Sequence, residues 1–230
     1  MTSREFNQRL QRRARRAGLR VPSPLVESLE QYYRLLERWN ERINLTALPL
    51  KDLSDEAVDR LLIEPLVAAR HLPSQRCAII DIGSGGGSPA IPLKLAAPAV
   101  AMRMVESKTR KSAFLREAIR HLELAETVVE TARYEELLTR PDLHETHEVV
   151  TLRAVRVEGR VLLSLQAFLR PGGLLFLFRG RSGADVPAAP TPPLMWEATY
   201  RIGSPSGSRL VALRKAALGA TGLQERVRET

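Results

Sequence analysis

Two acids and three alternating glycines are the residues in this chain best suited to hold a ligand. Residues 78–87 read Ala-Ile-Ile-Asp-Ile-Gly-Ser-Gly-Gly-Gly, with Asp81 ahead of Gly83, Gly85 and Gly87, and Glu106 follows the apolar run 100–105. Glycine reaches φ > 0 without strain and has no Cβ, so these three positions permit a sharp turn and let a ligand approach the backbone. An acid roughly 20 residues past such a loop is where nucleotide-binding α/β folds meet ribose hydroxyls. The plainer alternative is a tight turn at 83–87 and a helix-start acid at Glu106. A dinucleotide fingerprint would need a third glycine at 88, where Ser88 stands.

These residues need a strand, a loop and a helix to hold them. Ala78, Ile79, Ile80 and Ile82 form a short β-branched run of the kind found in a central parallel strand. Ser88-Pro89 is placed to cap the next helix and open its first turn, and Ile91, Leu93, Leu95 and Ala96 continue it. Regular alternation follows. Strands are expected near 100–105, 127–131, 148–152 and 174–178, with helices over 107–121 and 158–168, a turn at Pro171-Gly172-Gly173 and a closing hairpin of strands near 196–202 and 208–213. The proline-rich stretch 183–193 reads as loop. The fold class is therefore α/β, a mostly parallel seven-stranded sheet with helices on both faces.

Ahead of this domain lies a helical extension. Ser23-Pro24 starts a helix whose Leu25, Leu29, Tyr32, Leu36 and Trp39 trace one apolar face. Another helix opens at Ser54, with Asp55 and Glu56 in its first turn, and Pro65 is expected to kink or break it. The division is residues 1–72 as basic arm and helical cap, 73–215 as ligand-binding domain and 216–230 as a weakly ordered tail.

The chain has 230 residues, 44% hydrophobic and 27% charged, enough to bury a full core. No apolar stretch approaches the ~20 residues of a membrane span, and the N-terminal arginines precede no apolar signal segment. A soluble, cytoplasmic monomer without membrane contact is the expectation. The single Cys77 cannot make an internal disulfide, and no Cys/His cluster has zinc-ligand spacing, so no metal is called for. The net charge of +9 is uneven: residues 1–20 hold seven arginines against the lone Glu5, or +6. Phe6, Leu10, Ala14 and Ala17 give this arm a weak stripe, so it reads as a lightly docked helix presenting Arg12, Arg13 and Arg16 to RNA phosphate, with a merely solvated helix as the alternative.

Parallel strands offer ligands their C-terminal ends, which brings Glu106, Tyr134, Glu135, Arg153, Arg179 and Arg181 into question. Tyr134, or the backbone beside it, is placed to face an adenine, and Glu135 to accept from its amino group or to cap a helix. Arg153 ends an apolar strand where substrate would enter, with an ion pair to Glu106 or Glu135 as the structural alternative. Arg179 and Arg181 reach toward RNA phosphate or are plain surface charge.

The spacing Asp81-x-Gly83-x-Gly85-x-Gly87 resembles the first motif of class I S-adenosylmethionine methyltransferases. Together with Trp39-Asn40, Asn44-Leu45-Thr46, Pro89-x-Ile91-Pro92-Leu93, Lys111-x-x-Phe114-Leu115, Arg133-x-Glu135-Glu136 and Arg153-Ala154, it resembles the GidB/RsmG small-subunit rRNA methyltransferases over residues 25–180. That resemblance implies a Rossmann-like fold, S-adenosylmethionine as cofactor and methylation of a guanine N7 in 16S rRNA, free or within a small-subunit precursor. Cofactor contacts would fall on Asp81, Gly83, Gly85, Gly87, Ser88, Tyr134, Glu135 and Arg153, with Glu106 on the ribose. RNA contacts would fall on Asn44, Arg153, Arg179 and Arg181 besides the arm. Relatives usually carry proline and a bulky apolar residue at 86 and 88, histidine, aspartate and serine in place of Leu61, Glu64 and Pro65, and lysine in place of Arg179.

Guanine N7 already offers a lone pair, so no catalytic acid or base is expected, and Arg153 is assigned to positioning. A cytosine-C5 mechanism would need a cysteine nucleophile, yet Cys77 begins the first strand at its far end. A non-catalytic RNA-binding relative, or a class I enzyme with another RNA target, stands as the alternative.

Overall fold

Ile79 faces one layer of the protein and Ile80 and Ile82 the other, the alternation of a strand covered on both sides. This strand, β1 (Ala78–Ile82), pairs in parallel with β2 (Ala101–Val105) and β4 (His147–Arg153). The computed structural model describes residues 2–74, 76–153, 159–180, 192–203 and 207–217. Its seven strands run β3-β2-β1-β4-β5-β7-β6, with β3 at Thr127–Glu130, β5 at Leu169–Arg179, β6 at Leu194–Arg201 and β7 at Arg209–Lys215. The first five are parallel, and β7 is antiparallel to β5 and β6. Among the described residues no helix is long and apolar enough to cross a membrane.

One sheet face packs on α1 (Ser3–Arg16), α2 (Ser23–Asn40), α4 (Glu64–Ala69), α5 (Ala90–Ala96) and α6 (Thr109–His121) in a single buried cluster. The other face is covered through Leu137 of α7 (Tyr134–Leu137) and Leu162 and Leu165 of α8 (Gly159–Leu165).

The arm docks more firmly than its thin stripe suggests. Thr2 and Glu5 form a reciprocal capping box, and Phe6, Leu10 and Ala14 are fully buried, with the Phe6 ring 5.8 Å from that of Tyr33. Arg13 is buried too. Its Nε donates to Asp59 Oδ1 at 2.7 Å and its Nη1 to Asp55 Oδ2 at 3.1 Å, while Nη2 pairs with Asp59 Oδ2. A charge taken out of water must be paired, and Asp59 is what permits this burial.

Three further expectations change. Pro65 does not break its helix: α3 (Asp55–Val58), capped by Ser54, runs through a π turn at Asp59–Ile63 into α4. The π turn stands immediately ahead of the proline, which lies in the first turn of α4. Ser88 does not cap α5, which opens at Ala90 after Pro89 without a side-chain cap. Pro171-Gly172-Gly173 lies inside β5 rather than before it. The register there jumps from His147 opposite Leu169 to Val149 opposite Leu174, and the extra residues bulge outward with Gly172 at φ +81°.

Candidate active site

Asp81 leaves the C-terminal half of β1 with its side chain buried. Thr151 of β4 donates to its Oδ1 at 2.5 Å, and the Ser84 hydroxyl donates to its carbonyl at 3.1 Å. Its Oδ2 is buried and has no hydrogen-bond partner among the described residues. Burial pushes this carboxyl above the usual range, against the Thr151 and Ser84 hydrogen bonds and the nearby Arg153 charge.

The loop after it is shaped by backbone bonds. The N–H groups of Gly83 and Ser84 both donate to the Val105 carbonyl, at 2.9 and 3.0 Å, so the loop is tied to the end of β2. Gly85 N–H then donates to Glu106 Oε2 at 2.9 Å, and Lys108 N–H to Oε1 at 2.8 Å. The second acid is thus oriented at the loop's mouth by two backbone donors. Gly87 is the most constrained glycine of the loop: at φ +85° a Cβ would lie 2.5 Å from Ile91 Cδ1. From the cap, the Tyr32 hydroxyl donates to the Gly86 carbonyl at 2.7 Å, and Asn40 Oδ1 accepts from the N–H groups of Leu45 and Thr46 at 2.9 Å each. Burial raises the Tyr32 phenol, which keeps it protonated as that donor.

The π turn reaches the same loop from the other side. Ser88 Oγ donates to the Leu61 carbonyl at 2.9 Å. Arg153, at the end of β4, donates through Nη1 to the Arg60 carbonyl at 2.6 Å and to Glu64 Oε2 at 3.0 Å. Its partner is therefore neither Glu106 nor Glu135, because the π turn brings Glu64 against the β4 edge. The guanidinium also lies over the Phe178 ring, 4.5 Å from its centroid.

The remaining predicted residues separate. Tyr134 is half-buried, its phenol pushed up by burial and by the Glu135 carboxylate. Glu135 is exposed, and the helix-capping role falls to Glu136, whose Oε1 accepts from Arg133 N–H at 3.3 Å. Asn44, Arg12 and Arg16 are exposed, with Arg12 Nη2 2.9 Å from Asp55 Oδ1. Arg13, buried in its pairing with Asp59 and Asp55, has no surface to offer RNA. Arg179 is half-buried at the end of β5, and Arg181 lies outside the described residues. Cys77 is buried at the N-terminal end of β1, its thiol pushed up to about 11 chiefly by burial. Sequence reasoning missed Thr151, Tyr32, Glu64 and Phe178 as site neighbours. Thr151 alone carried a local signal, a hydroxyl within an otherwise apolar strand.

A glycine loop tied to an acid on β2, under a sheet of this strand order, invites comparison with known methyltransferases. Residues 25–189 match the family model GidB, described as rRNA small subunit methyltransferase G. The chain belongs to the GidB family. Named "Ribosomal RNA small subunit methyltransferase G", a Roseiflexus sp. (strain RS-1) protein is 39% identical over 172 residues, covering 65% of this chain and 68% of its own. A Chloroflexus aggregans protein of the same name is 40% identical over 171 residues, covering 72% and 70%. In fold, the chain is similar to an S-adenosylmethionine-dependent methyltransferase from Aquifex aeolicus, with a TM-score of 0.52, 13% identity and coverage of 71% of this chain and 95% of that one. A variant of MtNAS in complex with S-adenosylmethionine gives 0.52, 15%, 82% and 72%.

This GidB chain uses S-adenosylmethionine, and its residues suit that ligand. The Glu106 carboxylate, preset by two backbone donors, can still accept from ribose hydroxyls through its other lone pairs. The unpartnered Asp81 Oδ2 is an acceptor suited to the cofactor's ammonium. A Cβ at Gly83 would stand in open space beside the loop, room that glycine leaves clear for a ligand.

Proposed function

We propose that this chain transfers a methyl group from S-adenosylmethionine to N7 of a guanine in 16S rRNA, acting in the cytoplasm as a monomer on free rRNA or on an assembling small subunit. The observation that carries the reading is the juxtaposition of a cofactor cradle, built from Asp81, the glycine loop and Glu106, with Arg153 at the adjoining strand end.

The cofactor supplies an electrophilic methyl on a sulfonium. The protein's task is alignment and exclusion of water, because N7 attacks with its own lone pair and loses no proton. Asp81 and Glu106 would hold the two ends of the bound cofactor, Tyr134 and Glu135 would serve its adenine, and Ser88 and Arg153 would border the transfer point. Asn44, Arg12, Arg16, Arg179 and Arg181 contact RNA, while Arg13 serves the fold. The 1–72 segment acts as a cap over the 73–215 domain.

Calorimetric titration with S-adenosylmethionine, followed by incubation of labelled cofactor with undermethylated small subunits, tests this reading. Binding and label in the rRNA are expected. No binding at millimolar ligand, or label only in protein or small molecules, would sink it.

A further inference from the structure

One helical turn, residues 59–64, is attached to three separate parts of the molecule, and backbone geometry explains how. Glu64 N–H donates to the Asp59 carbonyl, five residues back, so the Arg60 carbonyl is passed over. In π geometry its donor would be residue 65, but Pro65 has no N–H. That carbonyl accepts from Arg153 Nη1 instead, and the neighbouring Leu61 carbonyl accepts from Ser88 Oγ. Asp59 pairs with Arg13 of α1. Leu61, Glu64, Pro65 and Ser88 therefore form one connected set with Arg153.

Within that set Glu64 does more than brace. The Glu64 and Arg153 side chains are 3% and 12% exposed, and one contact, Oε2 to Nη1, joins them. Glu64 Oε1 and Arg153 Nε and Nη2 are buried without hydrogen-bond partners among the described residues. Asp81 faces the same guanidinium from β1, and Arg60 adds a like charge. The ligand expected beside this cluster carries a sulfonium and an ammonium. Cations repel strongly where water is scarce, so a bare guanidinium there would oppose cofactor binding.

We infer that Glu64 is a positioning residue for the transfer site: its carboxylate holds Arg153 at the end of β4 and cancels its charge, so that the guanidinium offers N–H donors beside a sulfonium without repelling it. The same neutrality suits the target base, which becomes cationic as N7 accepts the methyl. The inference rests on the methyltransferase reading and on Arg153 bordering the transfer point.

The test compares S-adenosylmethionine with S-adenosylhomocysteine, whose sulfur is uncharged, by calorimetry on the full chain. Glu64→Gln should weaken binding of the sulfonium ligand at least about tenfold more than that of the thioether. Replacing the whole pair, Glu64→Leu with Arg153→Met, removes both charges at similar volume and should bring the affinity ratio back to within about threefold of wild type. Equal weakening of both ligands by Glu64→Gln, no weakening, or a ratio that stays shifted in the double variant would overturn the inference. Should Glu64→Gln fail to fold, Glu64→Asp keeps the charge and shortens the reach. Its ratio should match wild type while methyl transfer slows, and a shifted ratio or undiminished transfer overturns the inference. Wild-type protein that binds neither ligand would refute the methyltransferase reading instead.

Discussion

The glycine loop and the π turn touch through one hydrogen bond, Ser88 Oγ to the Leu61 carbonyl, yet they are built by opposite means. The loop works by omission: Gly83, Gly85 and Gly87 leave out Cβ atoms, so the backbone can turn back to Val105 and Glu106. The turn works by diversion: a proline and a widened register withdraw N–H donors, and the carbonyls left behind anchor side chains from elsewhere. A device of the first kind is tied to residue type and tolerates little substitution. One of the second kind depends on which groups happen to face the turn, and its parts can change together.

The contrast is sharpest where each region is attacked separately. Arg13→Ala should be the most damaging change, because it leaves Asp59 buried without its main partner, at a cost of about 3–5 kcal/mol. Denaturant unfolding would measure the loss, and the salt dependence of RNA binding should not move. Gly87→Ala brings a Cβ to 2.5 Å from Ile91 Cδ1 at φ +85°, for about 1–3 kcal/mol. Here cofactor affinity should fall along with stability, whereas Arg13→Ala should lower stability alone. If the two variants behave alike, loop and turn are not separate devices.

Asp81→Asn should weaken S-adenosylmethionine binding about tenfold by removing a charged acceptor. Because burial raises the Asp81 carboxyl, wild-type affinity should begin to fall on acidification at a pH above that of a solvent-exposed aspartate, as the charged form is lost. Titrations across pH should find that dependence flattened in Asp81→Asn. Ser88→Ala cuts the single bond between the two regions and should cost about 1 kcal/mol, read as a shift in unfolding midpoint with the fold retained. The smallest effect belongs to the surface: Arg12→Ala and Arg16→Ala should leave stability within about 0.5 kcal/mol and lower the salt slope of RNA binding by about 1 each.

The same contrast explains what could be read from the amino acids. Asp81, the 83/85/87 spacing and Glu106 were legible because each exploits an intrinsic property: a missing Cβ, or a carboxylate at a strand end. The strands themselves followed from apolar runs and their alternation, but their order in the sheet came only with the fold. The π turn was not legible, since Pro65 signals a disturbed helix without saying whether the chain kinks or widens. Arg13 looked like one of seven equivalent arginines until the fold brought Asp59 beneath it. The partner of Arg153 was likewise beyond local pattern, as Glu64 lies 89 residues away in sequence.

The atom that receives the methyl is directly measurable. Small subunits from cells lacking the modification should be incubated with this protein and S-adenosylmethionine, and their rRNA then reduced and cleaved at N7-methylguanine. A new cleavage at one guanine of 16S rRNA is predicted. Methylation that leaves no cleavable guanine, because it falls on another atom or base, would contradict it.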